Sequence, residues 1–97
     1  MPEERLPLLV FFTSRQSGPA RRMESLLAHI ARKERDTLRV RRVDVDEQPE
    51  VAKRFRISEV PSLALVKRKR VVARLEGRST APKIESMIDP HLHGDSD

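Results

Sequence analysis

Leu6-Pro7-Leu8-Leu9-Val10-Phe11-Phe12-Thr13-Ser14-Arg15-Gln16-Ser17-Gly18-Pro19-Ala20 is the stretch that decides the fold. From Leu6 to Thr13 the run is apolar at almost every position, short, and flanked by polar residues. That pattern suits a strand buried on both faces of a parallel or mixed sheet. A turn over Ser14 to Gly18 follows, and Pro19 then stands where a first helical residue belongs, since its missing N–H is not needed there. Ala20, Met23, Leu26, Leu27, Ile30 and Ala31 recur at helical spacing, which predicts an amphipathic helix ending near Arg35. Arg21, Arg22, Glu24, Arg32 and Lys33 fall on its solvated side.

Working outward, Leu38 to Val45 sets Val40, Val43 and Val45 among charged residues and predicts a second strand with a partly exposed face. Asp44 and Asp46 lead to a short helix from Pro49, with Val51, Ala52 and Phe55 as its stripe, ending before Ile57. Leu63 to Val66 and Val71 to Leu75 are close enough to pair as an antiparallel hairpin through Lys67-Arg68-Lys69-Arg70, a turn with neither Gly nor Asn. Gly77 breaks the last strand. Ser79 or Thr80 caps a final helix in which Pro82 comes early, Ile84, Met87 and Ile88 form the apolar face, and Pro90 is the expected stop.

The expected architecture is α/β, in the order β-α-β-α-β-β-α, with a central mixed four-stranded sheet between helices. Crossover and adjacency rules put the first strand centrally, beside the second and third, with the fourth at an edge. One domain over residues 1–90 accounts for the pattern, and 91–97, having little to bury, is expected to be a disordered tail.

The chain has 97 residues, 37% hydrophobic and 36% charged, the balance of a soluble protein with a dense ionic surface. No apolar run approaches the roughly 20 residues that span a bilayer, so no membrane role is expected. The first residues lack a basic segment followed by a long apolar one, which predicts a cytoplasmic location. There is no cysteine, which excludes disulfides, thiolate metal sites and thiol chemistry. The net charge of +5 favours anionic partners, although 15 of the 20 basic residues are Arg, a bias that G+C-rich coding also produces.

From Leu6 to Ile88, without an internal gap, the chain resembles the thioredoxin family. Pro7-Leu8-Leu9-Val10 looks like the strand entering the family's active site, and Ser17-Gly18-Pro19-Ala20 like its Cys-Gly-Pro-Cys loop with both sulfurs gone. Val43-Asp44-Val45-Asp46-Glu47-Gln48-Pro49 is similar to the family's second strand and following turn. Most specific is Val60-Pro61-Ser62-Leu63, which resembles an Ile-Pro-Thr-Leu segment whose proline peptide is cis; Gly77 falls where the family has a glycine after the hairpin. The resemblance implies a thioredoxin-like three-layer sandwich without the N-terminal β-α unit of typical members.

Departures from the family bear on function. Besides Ser17 and Ala20, Gln16 and Thr13 stand at tryptophan positions, Phe11 replaces a buried aspartate that assists proton transfer, and Ser25 replaces a helix-kinking proline. These losses fit together, because a buried carboxylate without a use is costly. They also argue against an engineered cysteine knockout, which would have left the aspartate and tryptophans in place.

The resemblance implies that an extended peptide binds the backbone before the cis-proline, a form of strand addition that needs no thiol. The candidate face therefore comprises Gln16, Ser17, Gly18, Pro19, Ala20, Val60, Pro61 and Gly77, and the expected function is a redox-inactive protein- or peptide-binding module. One alternative is an oxidoreductase-family homologue with no thiol–disulfide activity of its own. Another is weak, non-specific nucleic-acid binding through the basic hairpin Lys67, Arg68, Lys69 and Arg70; it is disfavoured because Phe11, Phe12 and Phe55 all sit at core positions and leave no stacking platform, while Arg21 and Arg22, in the first turn of the first helix, are candidates for an anion contact at that helix N-terminus. Ser17 reads as a helix cap rather than a nucleophile, since His29 lies two to three turns away. His91 and His93 make at best a weak metal site. No catalytic residue, metal or cofactor is expected, and the assembly is expected to be a monomer or weak dimer.

Overall fold

A computed structural model of the protein describes residues 6–93. Strand β1 (Leu8–Thr13) leads to helix α1 (Gly18–Lys33), strand β2 (Arg39–Asp44) and the short helix α2 (Pro49–Arg54). Strands β3 (Ser62–Lys67) and β4 (Arg70–Glu76) form a hairpin, and helix α3 (Ala81–His93) follows. The sheet order is β2-β1-β3-β4. Strand β1 runs parallel to β2 and antiparallel to β3, so β1 is central and β4 an edge, as the sequence predicts.

Alternation along β1 explains why its sequence shows no amphipathic pattern. Leu9 and Phe11 point to one face, where they pack with Met23, Leu27, Ile30, Leu63, Leu65, Ile84 and Ile88 beneath α1 and α3. Val10 and Phe12 point to the other, with Val43, Ala64 and the partly buried Val51 and Phe55 near α2. Each fully buried Leu or Phe contributes roughly 1.5–3 kcal/mol, so neither face of β1 tolerates a charge. Phe12 and Phe55 are tilted rings with centroids 5.3 Å apart.

Helix α3 corrects the sequence reading at its C-terminal end. Pro90 was the expected stop and His91 the start of a tail, yet the helix passes through Pro90 to His93. Leu92 packs on the α1/α3 core, a burial that offsets the backbone hydrogen bond Pro90 cannot make. The domain thus extends past 90; residues 94–97, the rest of the expected tail, lie outside the described residues. Across the two long helices, Lys33 donates to Glu85 at 3.1 Å, and that carboxylate holds the exposed lysine above its ordinary pKa.

Edge strand β4 carries a bulge at Val72, where Leu65 pairs with Ala73 and Val66 with Val71. Among the described residues Val71 and Val72 are the large apolar side chains left exposed, and the bulge interrupts the flat edge that another strand would need. Arg74 donates through both guanidinium nitrogens to the Phe55 and Arg56 carbonyls at 2.8 and 3.1 Å, fastening the end of α2 to β4. The hairpin closes through Arg68 and Lys69, with φ of 53° and 69°. Both therefore sit in the left-handed region that a type I′ turn requires and that Asn and Gly fill with less strain. The double substitution Arg68→Asn/Lys69→Gly should stabilise the protein by roughly 1–2 kcal/mol in urea unfolding; an unchanged or lowered midpoint would show that the turn is not strained.

Candidate functional site

Register brings the predicted face together. Thr13 ends β1 opposite Asp44, Phe12 pairs with Ser62, and Ser62 pairs with Glu76. The loop after β1, the Val60–Pro61 segment before β3 and the Gly77 turn after β4 therefore leave from one end of the sheet. The Gly77 N–H donates to the Pro61 carbonyl at 2.8 Å, and the Val60–Pro61 peptide bond is cis.

The loop after β1 is fastened by its own polar groups. Ser14 Oγ donates to Asp46 Oδ2 at 2.6 Å and accepts from the Gln16 N–H at 3.2 Å. The Val45 N–H donates to the Thr13 carbonyl, and Asp44 Oδ1 accepts from the Asp46 and Glu47 N–H groups. An exposed Arg15–Glu47 pair spans the same two loops at 3.1 Å; pairs of this kind contribute little on their own. Asp44 and Asp46, read in the sequence only as a lead into α2, thus anchor the loop that carries Ser17.

Ser17 is the N-cap of α1: its Oγ accepts from the Ala20 N–H at 3.1 Å, and its carbonyl from the Arg21 N–H at 3.0 Å. With those donors taken and Pro19 having none, Gly18 keeps the one free N–H of the first turn, too little to hold an anion by itself. Ala20 and Pro61 are buried and support the face from below, whereas Gln16 and Gly18 are exposed and Ser17, Pro19, Val60 and Gly77 half-exposed. The Val60 N–H and C=O make no hydrogen bond among the described residues. His29 is exposed further along α1 and approaches none of these groups.

The basic residues named from the sequence do not form one surface. Arg21 and Arg22 flank the face, but Lys67, Arg68, Lys69 and Arg70 close the hairpin at the opposite end of β3 and β4, about 17 Å away at 3.4 Å per residue. Among the described residues no group of three or more His, Asp or Glu side chains is placed to hold a metal ion. No helix of the described residues is long and apolar enough to cross a membrane.

Two features were not legible in sequence. Thr13 is 2% exposed and its Oγ1 has no hydrogen-bond partner among the described residues. A cleft of about 420 Å³ opens between the first turns of α1 and the turn joining β4 to α3, and its lining includes Pro19, Met23, Arg22, Arg78 and Lys83.

A family model described as Thioredoxin matches residues 2–90. Thioredoxin of Alicyclobacillus acidocaldarius is 34% identical over 82 residues, which are 84% of this chain and 78% of that protein. A thioredoxin-like protein of Synechocystis sp. is 31% identical over 86 residues, 89% of this chain and 79% of its own length. Among solved structures, a malarial protein superposes with a TM-score of 0.81 over 90% of this chain and 98% of its own, at 17% identity, a likeness of fold.

Two substitutions test the site's construction. Thr13→Val removes a hydroxyl that is buried without a partner and should raise stability by about 1 kcal/mol, or roughly 4–8 °C in Tm; a fall in Tm would mean that the hydroxyl is satisfied. Gly77 has φ +83° and an added Cβ would meet Glu59 Oε2 at 2.8 Å, so Gly77→Ala should cost about 1 kcal/mol through the backbone. If adding Glu59→Ala restored the lost stability, the cost would lie in the side-chain clash instead.

Proposed function

We propose that this chain, which belongs to the thioredoxin family, is a redox-inactive docking module that takes an extended segment of a partner protein along Val60. The observation that carries the reading is the unpaired main chain of Val60, set at the sheet end between the Ser17–Pro19 turn and Gly77. An extended peptide supplies the matching donor and acceptor, and the half-exposed residues on either side supply contacts for its alternate side chains.

Thiol chemistry has no atoms to work with, since the chain has no cysteine and Ser17 and Ala20 stand at the loop's two sulfur positions. Nucleophilic chemistry at Ser17 finds no support either: its hydroxyl is engaged with the Ala20 N–H and, among the described residues, no base is hydrogen-bonded to it. Phe11 and Phe12 are buried, and Phe55 packs on Phe12, which disfavours base stacking by a nucleic acid.

Peptides selected from a random-sequence display library against the isotope-labelled protein provide the test. Bound peptides should shift the amide resonances of Gly18, Val60 and Gly77, and N-methylation of alternate peptide residues should abolish binding. Shifts confined to the Lys67–Arg70 hairpin, or binding indifferent to N-methylation, would overturn the reading. In an insulin-reduction assay with dithiothreitol the protein should leave the rate at that of buffer; acceleration would sink the redox-inactive assignment.

A further inference from the structure

We infer that the docked segment is acidic, with Asp or Glu side chains beside an apolar residue, and that the cleft between α1 and the β4–α3 turn reads those carboxylates. This rests on the docking reading above and names its partner class. Pro19, Met23 and Leu26 supply the apolar part of the cleft, while Arg22, Arg78 and Lys83 supply its charge.

What distinguishes this cleft is its sign. Two other basic clefts carry their own carboxylates: Glu24, Asp44 and Glu47 accompany Arg15, Arg21 and Arg42 in one, and Glu24 accompanies Arg21 and Arg22 in another. No Asp or Glu lines the α1/α3 cleft. Arg22, Arg78 and Lys83 also form no side-chain ion pair or hydrogen bond among the described residues, so three solvated cations line this cleft with no carboxylate of the described residues paired to any of them. Like charges held together repel, and a ligand that supplies carboxylates relieves that repulsion as it binds.

Continuity with the docking strip fixes where the acidic residues lie. Arg78 directly follows Gly77, whose N–H is bonded to the Pro61 carbonyl. The Arg22 guanidinium lies over Gly18, with Nη1 3.5 Å from where a Cβ would stand. A peptide paired along Val60 and leaving past Gly77 therefore passes between Arg22 and Arg78 into the cleft, where one apolar side chain meets Met23 and Leu26. Glu59, whose carboxylate lies against Gly77, does not line the cleft and keeps the acidic residues to its far side.

Three octapeptides of one frame, with Leu-Val at the centre flanked by Glu, Gln or Lys, test this by fluorescence anisotropy and amide shifts. At low salt the Glu peptide should bind about tenfold tighter than the Gln peptide, as three partly screened charge contacts imply, and lose that margin as salt rises. Arg22→Glu/Arg78→Glu/Lys83→Glu should invert the order so that the Lys peptide binds best. Arg68→Glu/Lys69→Glu/Arg70→Glu, with the same change in net charge at the far hairpin, should keep the preference; its loss there would show that overall charge, not the cleft, is responsible. Equal affinity of Glu and Gln peptides, both shifting Val60, would overturn the acidic partner and leave docking intact. A Glu peptide that shifts Arg22, Arg78 and Lys83 but not Val60 would uphold the cleft's preference and overturn docking at the strip. An oligothymidylate that binds the same amides more tightly than the Glu peptide would overturn the assignment to protein.

Discussion

Strand β1 is hydrogen-bonded along both edges and covered on both faces, and the rest of the molecule is arranged around that confinement. A backbone so enclosed satisfies its polar groups only through straight, in-register pairing, which fixes where β2 and β3 must lie. It also decides which side chains the strand accepts. Phe11, at 2% exposure among Leu9, Met23 and Leu27, occupies ground where a charge would be paid for in stability. The strand's last residue, Thr13, shows the limit: its hydroxyl is enclosed with the rest and finds no partner.

Because β1 is fixed, its exit is fixed, and the face built from the loop after it inherits that rigidity. The Ser14–Asp46 hydrogen bond, the Ser17 cap on α1 and the Gly77–Pro61 hydrogen bond each tie one loop to a neighbouring element. The groups left unused, the Val60 main chain above all, are held by these attachments. Such pre-organisation lowers the ordering cost that an extended ligand has to meet.

Much of this was readable from residue types and their spacing. The continuous apolar run from Leu6 to Thr13, the helical spacing from Ala20 to Ile30, the valines of the later strands, and Pro19 and Gly77 at their turns place the elements of the sheet and its helices in order. What escaped depended on tertiary contacts. Pro90 reads as a helix stop because proline lacks a donor, yet the helix runs on and Leu92 packs on the core. Arg68 and Lys69 are poor residues for the turn they occupy, and the strand pairing on either side imposes it. The α1/α3 cleft was invisible because Arg22 lies far along the chain from Arg78 and Lys83; nothing in local pattern connects them.

The cap at Ser17 carries a last consequence. A thiol at a helix N-terminus changes with its surroundings, cycling between thiolate, disulfide and oxidised forms as the local redox poise shifts. A hydroxyl engaged with the Ala20 N–H has no such states, and Met23, which lines the adjoining cleft, is 5% exposed. A partner docked on the proposed face would therefore meet the same Ser17 cap under oxidant and reductant alike, and its occupancy would follow the partner's concentration rather than electron supply.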